Sequence, residues 1–221
     1  MLKQFLFGFP IIKQPIDKNL YDKEKIVSDI LYNYNLDNSR NNWDSEQAKY
    51  GRPTSNLHHS YGDQNNNNFR KIDYSKLIPL YNEKVANALN QLYFKQKINF
   101  RYTIENYTCV KENNSMREHV HLGCDFTGVH YLKFNKDEHF PTNFINTHKH
   151  SNYTSKLLPT LNNELDTSST ENSWMCENYS INTDEDDLVI TPAIVEHSIP
   201  YHEKCNDHRI TIAINIHIEK Q

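Results

Sequence analysis

The sequence predicts an α+β protein whose helical first half supports a small antiparallel β-barrel. Three observations carry that expectation. Apolar residues recur at helical spacing in two early stretches and at strand spacing in the later ones, with no βαβ alternation. The closing segment, residues 209–218, alternates strictly with period two. The length, 221 residues, suits one domain or a domain with an arm.

In chain order, residues 5–12 form a short apolar run suited to an edge strand ending at Pro15. Residues 21–31 place Ile26, Val27, Ile30 and Leu31 at helical spacing. Residues 38–68 are polar, with four consecutive asparagines at 65–68, and read as a long loop. A second helix starts after Asp73 and runs to about Phe94 on a stripe of Leu77, Leu80, Tyr81, Val85, Ala88, Leu89 and Leu92; Pro79 is tolerated near its start. Strands follow at 98–110 and 126–134, then a polar irregular stretch at 135–172, then strands at 174–181, 188–191, 194–199 and 209–218. The expected organisation is a single domain, with a strand and supporting helices in 1–97 and the β core in 98–221.

Composition excludes several functions. Lys and Arg number 24 against 28 Asp and Glu, for a net charge of −4. No basic excess exists to displace counterions from phosphates, which argues against a nucleic-acid partner. Mean hydropathy is −0.83, and no apolar run reaches membrane-spanning length. The chain has 29 asparagines but only 5 glycines, and lacks both the G-x-x-x-x-G-K and G-x-G-x-x-G phosphate-binding patterns. Cys109, Cys124, Cys176 and Cys205 are widely spaced, with no C-x-x-C pair, and the N-terminus lacks a signal-peptide pattern. Both point to reduced thiols and a cytoplasmic location.

Two constellations carry chemistry. In the last strand Ile210, Ile212, Ile214, Ile216 and Ile218 share one face, and Arg209, Thr211, Ala213, Asn215 and His217 the other. Small Thr211 and Ala213 leave room beside Arg209, whose guanidinium is a bidentate partner for a carboxylate. The 12 histidines include His119-Val-His121, with Asp125 four positions on and His197 far downstream. In so histidine-rich a chain an H-x-H pair also arises by chance; its order with His197 and Arg209 singles it out. Such a set on a β framework suits a divalent metal, with Fe, Zn, Cu and Ni all open. His58-His59 and His148-Lys-His150 read as solvated, as does the acidic run 184–187, which lacks calcium-loop spacing.

These segments carry a resemblance. His119-Val-His-Leu-Gly-Cys-Asp-Phe-Thr-Gly-Val-His-Tyr-Leu132 resembles the H-x-H-P-x-x-x-L-S-G-V-Y-Y-L signature of 2-oxoglutarate/Fe(II)-dependent oxygenases common in phages and marine bacteria, an H-x-H…H…R variant of the prolyl-hydroxylase type. Leu188-Val-Ile-Thr-Pro-Ala-Ile-Val-Glu-His-Ser-Ile-Pro200 resembles its L-V-L-F-P-S-W-L-x-H-x-V-x-P, and Arg209-Ile-Thr-Ile-Ala-Ile-Asn215 its R-I-S-I-S-F-N. The resemblance implies a double-stranded β-helix, or jelly roll, with buttressing N-terminal helices. It implies Fe(II) on His119, His121 and His197, a histidine standing where the wider superfamily has a carboxylate, with Asp125 as the alternative ligand. Arg209 and Tyr131 match positions that hold the remote carboxylate of the cosubstrate 2-oxoglutarate. The implied reaction consumes O2 and 2-oxoglutarate, hydroxylates a protein side chain or small molecule, and releases succinate and CO2. For a phage-encoded chain the location would be the host cytoplasm. Departures fall at Leu122, Thr191-Pro-Ala-Ile194 and His130, on the pocket wall. The open edge of a jelly roll also suits pairing into a homodimer. The competing expectation is a cupin-like or structural phage jelly roll that binds metal without turnover.

Overall fold

The computed structural model describes residues 2–6, 8–36, 55–60, 67–146, 164–166, 169, 172–173 and 176–220. Among them the elements are β1 (Leu2–Leu6), β2 (Phe9–Pro15), α1 (Lys23–Leu36), β3 (His58–His59), α2 (Leu77–Leu89), β4 (Ile98–Val110), β5 (Met116–His119), β6 (Phe126–Lys133), β7 (Asn143–Ile145), β8 (Asn178–Ser180), β9 (Asp187–Pro192), β10 (His197–Ile199) and β11 (Arg209–Lys220). They form a 7-stranded sheet, ordered β1-β2-β9-β6-β11-β4-β3, and a 4-stranded sheet, ordered β5-β10-β7-β8. The pairings are antiparallel. Few helices and mostly antiparallel sheet match the expected class.

The isoleucine face of β11 explains where the helices sit. Ile210, Ile212, Ile214 and Ile216 are fully buried in one apolar cluster with Ile26 and Ile30 of α1 and Leu77, Tyr81, Val85 and Ala88 of α2. Helices therefore cover one face of the large sheet. On its other face Leu6, Ile11, Tyr131 and Val189 meet Phe144 of β7 and the nearby Ile181 and Val195. That cluster joins the two sheets as a sandwich. Strands β2, β6, β9 and β11 are thus buried on both sides, and Gly128 of β6 sits where a Cβ would come within 2.8 Å of Ile214 Cγ1.

Several expectations are corrected. The expected edge strand is instead a hairpin, β1 and β2, in which Leu6 pairs with Phe9 and Gly8 takes φ 86°; β1 is the edge and β2 pairs with β9 inside the sheet. His58 and His59 are not solvated: they are buried and pair as β3 with Cys109 and Thr108. The rest of the 38–68 loop lies outside the described residues apart from 55–60 and 67–68, as do His148 and His150. Part of the 135–172 stretch is strand β7. The acidic run is solvated only in its first half: Asp184 and Glu185 are exposed, whereas Asp186 and Asp187 are buried. Asp186 accepts hydrogen bonds from the Tyr21 hydroxyl and Lys23 Nζ, each at 2.6 Å, while Lys13 pairs with Asp187 at 3.1 Å. No helix among the described residues is long and apolar enough to cross a membrane.

The strand β4 holds one more departure. Ala213 pairs with Asn106 and Ile214 with Ile104, so Glu105 is an extra residue, a β-bulge. Below it Ile98, Phe100, Tyr102 and Ile104 face the helices; above it Tyr107 and Cys109 do. The bulge turns Glu105 and Asn106, consecutive in sequence, to the same side.

Candidate metal centre

The polar face of β11 opens into a cavity between the two sheets. Arg209, Thr211 and Ala213 line it with Asn106 and Thr108 of β4, Val129 of β6, Met116, Thr142 and Ile199, and His119, His121 and His197. Pairing of β5 with β10 sets His119 directly across from His197. A hydrogen bond from the His121 backbone N–H to Ala193 O, 3.0 Å, folds the segment after β5 back so that its imidazole joins them. The ring centroids stand 4.3 Å apart for His119 and His197, 5.3 Å for His121 and His197, and 5.4 Å for His119 and His121. One ring nitrogen from each lies within 4.8 Å of the others.

Which nitrogen that is follows from the partners of the other. His119 Nδ1 meets Arg117 O at 2.9 Å, His197 Nδ1 meets Val195 O at 2.9 Å, and His121 Nδ1 meets Asn215 Oδ1 at 2.8 Å. A carbonyl oxygen only accepts, so each Nδ1 carries the hydrogen and each Nε2 the lone pair. Three imidazoles with Nδ1–H fixed by oxygen acceptors are the arrangement that metal-binding histidines adopt. Burial, then the neighbouring His119, pushes the His197 imidazole down to about 3, so it is neutral near pH 7. A triad of imidazole nitrogen donors fits a first-row divalent cation.

Asp125 is elsewhere. Its exposed carboxylate accepts the Ile218 N–H at 2.7 Å, which caps the end of the β11 ladder. Among the described residues, a second group, Glu138, His139 and Cys205, also lies within ligand distance. Its donors are committed: His139 accepts from Asn135 N–H at 2.9 Å and donates to Asp207 O at 3.2 Å, and the Cys205 thiol donates to Asp207 O at 2.6 Å.

The other end of the cavity holds Arg209. Its side chain is 0% exposed, and Nε, Nη1 and Nη2 are all without a hydrogen-bond partner. Among the described residues, no acidic side chain lines the cavity. Its carbon lies 5.2 Å from the Tyr131 ring centroid, a modest cation–π contact. Burial depresses the guanidinium below its ordinary range without removing its charge. A buried, unneutralised cation of this shape is a receptor for a carboxylate. The Tyr131 hydroxyl donates to Thr142 Oγ1 at 2.7 Å and accepts the Thr142 N–H at 2.9 Å, and the same side chain partly offsets the cost of burying Arg209. Between the two ends stand the Thr108–Thr211 hydroxyl pair, 2.7 Å apart, and the buried Asn106, whose Oδ1 has no partner.

Sequence reasoning named the three histidines, Arg209 and Tyr131; the fold gathers His119, His121, His197 and Arg209 around one cavity and sets the Tyr131 ring against Arg209 outside its lining. It missed Glu105, Asn106 and Thr142. The first two had a signal: the apolar positions of β4 switch from even to odd numbers between Ile104 and Tyr107, the mark of a bulge.

A prolyl hydroxylase from Trichoplax adhaerens, solved in complex with an oxygen-degradation-domain peptide fragment of hypoxia inducible factor, superposes with a TM-score of 0.51 over 95% of this chain and 83% of that one, at 12% identity. The fold is that of a prolyl hydroxylase. EvdMO1 gives a TM-score of 0.53 over 94% of this chain and 46% of that one, at 11% identity. The viral collagen prolyl hydroxylase of Paramecium Bursaria Chlorella virus-1, solved with 2-oxoglutarate, is similar at a TM-score of 0.47 and 12% identity, over 95% and 96% of the two chains. No family model and no curated protein matches this sequence.

Proposed function

We propose that this chain is a 2-oxoglutarate- and Fe(II)-dependent oxygenase that hydroxylates a protein side chain or small molecule. One observation carries the reading: a cavity with three Nδ1-pinned histidines at one end and a buried, unpartnered guanidinium at the other. A bare metal site has no use for the guanidinium, and a carboxylate pocket alone has none for the histidines. The shared fold supports the same reading, as does the two-sheet arrangement, which we take as a double-stranded β-helix within a single domain.

Each residue then has a task. His119, His121 and His197 bind Fe(II) through Nε2. Arg209 holds the remote carboxylate of 2-oxoglutarate with its forked N–H groups, and the Tyr131 ring flanks it. Iron bound there would supply the oxidative step, in which O2, 2-oxoglutarate and a substrate C–H group give succinate, CO2 and the hydroxylated product. Met116, Val129 and Ile199 exclude water from the centre of the cavity, which strengthens every charge contact inside.

Anaerobic titration of the apoprotein with Fe(II) and then 2-oxoglutarate tests this. A visible metal-to-ligand band that Arg209→Ala abolishes is the expected result. Iron binding with no band would favour the cupin-like alternative, and no iron binding would leave a jelly roll without this chemistry.

A further inference from the structure

The three histidines are not held alike. His119 and His197 donate Nδ1–H to backbone carbonyls, which cannot rotate away. His121 relies on a side chain, Asn215, whose carboxamide would serve equally well in two orientations if nothing selected one. Glu105 selects it. Its carboxylate only accepts, and Asn215 Nδ2 donates to Glu105 Oε2 at 3.1 Å, which leaves Oδ1 facing His121 Nδ1 at 2.8 Å. In the flipped amide, two oxygens would oppose each other at Glu105. The NH2 would then face His121, driving that ring's hydrogen onto Nε2, the nitrogen aimed at the cluster. Thr127 does not replace this control: its hydroxyl hydrogen is spent on Ile214 O at 3.1 Å, and it stands 3.4 Å from His121 Nδ1.

Glu105 follows Ile104, which faces the helices, so it turns to the opposite face of β4 beside Asn215, and the bulge at this point lets Asn106 share that face. The triad also contains no carboxylate, so a divalent cation on three neutral imidazoles keeps its full double charge.

We propose that Glu105 is a positioning residue for the metal centre: it acts through Asn215 to hold His121 in the ligating tautomer, and supplies from one layer out the negative charge that the triad lacks. The inference rests on the metal-binding reading above.

Co(II) binding to the apoprotein tests it without turnover. Affinity is measured by competition with a chromophoric chelator, and site geometry by the Co(II) visible spectrum. Variants are Glu105→Gln, Asn215→Leu, the double variant, and His197→Ala as a control. Loss of such an outer hydrogen bond weakens metal binding on the order of 10- to 100-fold. Glu105→Gln should show a loss in that range, Asn215→Leu at least as large a loss, and the double variant no more than Asn215→Leu alone. Wild-type affinity in Glu105→Gln, or losses that multiply in the double variant, would overturn the relay while leaving the metal site intact. A wild-type protein that binds Co(II) no better than His197→Ala would overturn the metal-binding reading, and the relay with it. Thermal unfolding of each apo variant separates a lost ligand from a lost fold, and Asn215→Leu reads the same relay should Glu105→Gln fail to fold.

Discussion

Replacing Arg209 by methionine should stabilise the apoprotein and abolish its response to 2-oxoglutarate. The side chain is 0% exposed, and its three nitrogens have no hydrogen-bond partner. Removing a buried charge in favour of an apolar side chain of similar length is typically neutral or stabilising by about 1–4 kcal/mol. The Tyr131 ring at 5.2 Å returns part of the cost of burying the cation, at most about 2 kcal/mol. With the full offset taken from the upper figure, the expected gain is up to about 2 kcal/mol, or at most roughly 8 °C in Tm for a chain of this size. In the presence of a divalent metal and 2-oxoglutarate at about 100 times its Kd, the wild type should gain a further ~2.7 kcal/mol. Arg209→Met should gain nothing from the cosubstrate. Thermal unfolding of both proteins, apo and loaded, reads all four states. A variant that melts below the wild-type apoprotein, or keeps the cosubstrate increment, would refute the assignment of Arg209 as an unsatisfied receptor.

Other parts of the account are as easily checked. Asp125→Ala should cost about 1 kcal/mol of stability, from the lost Ile218 cap, and leave Co(II) affinity unchanged; a large loss of metal would restore Asp125 as a ligand. Burial, then the charge of Arg209, depresses His202 to about 4, so the unfolded chain takes up this proton near pH 6.5 and the folded chain does not. Stability is full above pH 6.5 and is lost as pH falls toward 4, by up to about 3 kcal/mol. His202→Gln should shrink the loss of Tm across that window, with His197 keeping its own share, and a curve parallel to the wild type would contradict the assignment. Gly128→Ala forces a Cβ to 2.8 Å from Ile214 and 3.3 Å from Leu188, and should cost about 1–3 kcal/mol by differential scanning calorimetry; no loss would mean that the centre of the sheet is looser than these distances imply.

The fold was legible where residue pattern alone decides it. The isoleucine face of β11 and the apolar stripe of α2 placed the helices on one side of a sheet, and the order of His119, His121, His197 and Arg209 marked the cavity. What was not legible depends on backbone irregularity or on distant partners. A strand read as strictly alternating hides its bulge, so Glu105 and Asn106 looked like residues on opposite faces. His58 and His59 sit in a polar stretch, and only pairing with β4 buries them. Asp186 looked solvated with the rest of its acidic run because its partners, Tyr21 and Lys23, lie more than 160 positions away in sequence. Asp125 follows His121 at a plausible ligand spacing, and only the antiparallel register shows it capping Ile218.

The central claim is that one cavity holds a metal on three histidines and a dicarboxylate on Arg209. A crystal grown anaerobically with Mn(II) and 2-oxoglutarate, with anomalous data collected at the manganese edge, tests it most directly. The account predicts a single strong anomalous peak bonded to the Nε2 atoms of His119, His121 and His197, roughly 2.0–2.3 Å away. Continuous density should run from that peak to the Arg209 guanidinium. A peak at Asp125 or at the Glu138, His139 and Cys205 group, or a metal in place with no density reaching Arg209, would contradict it.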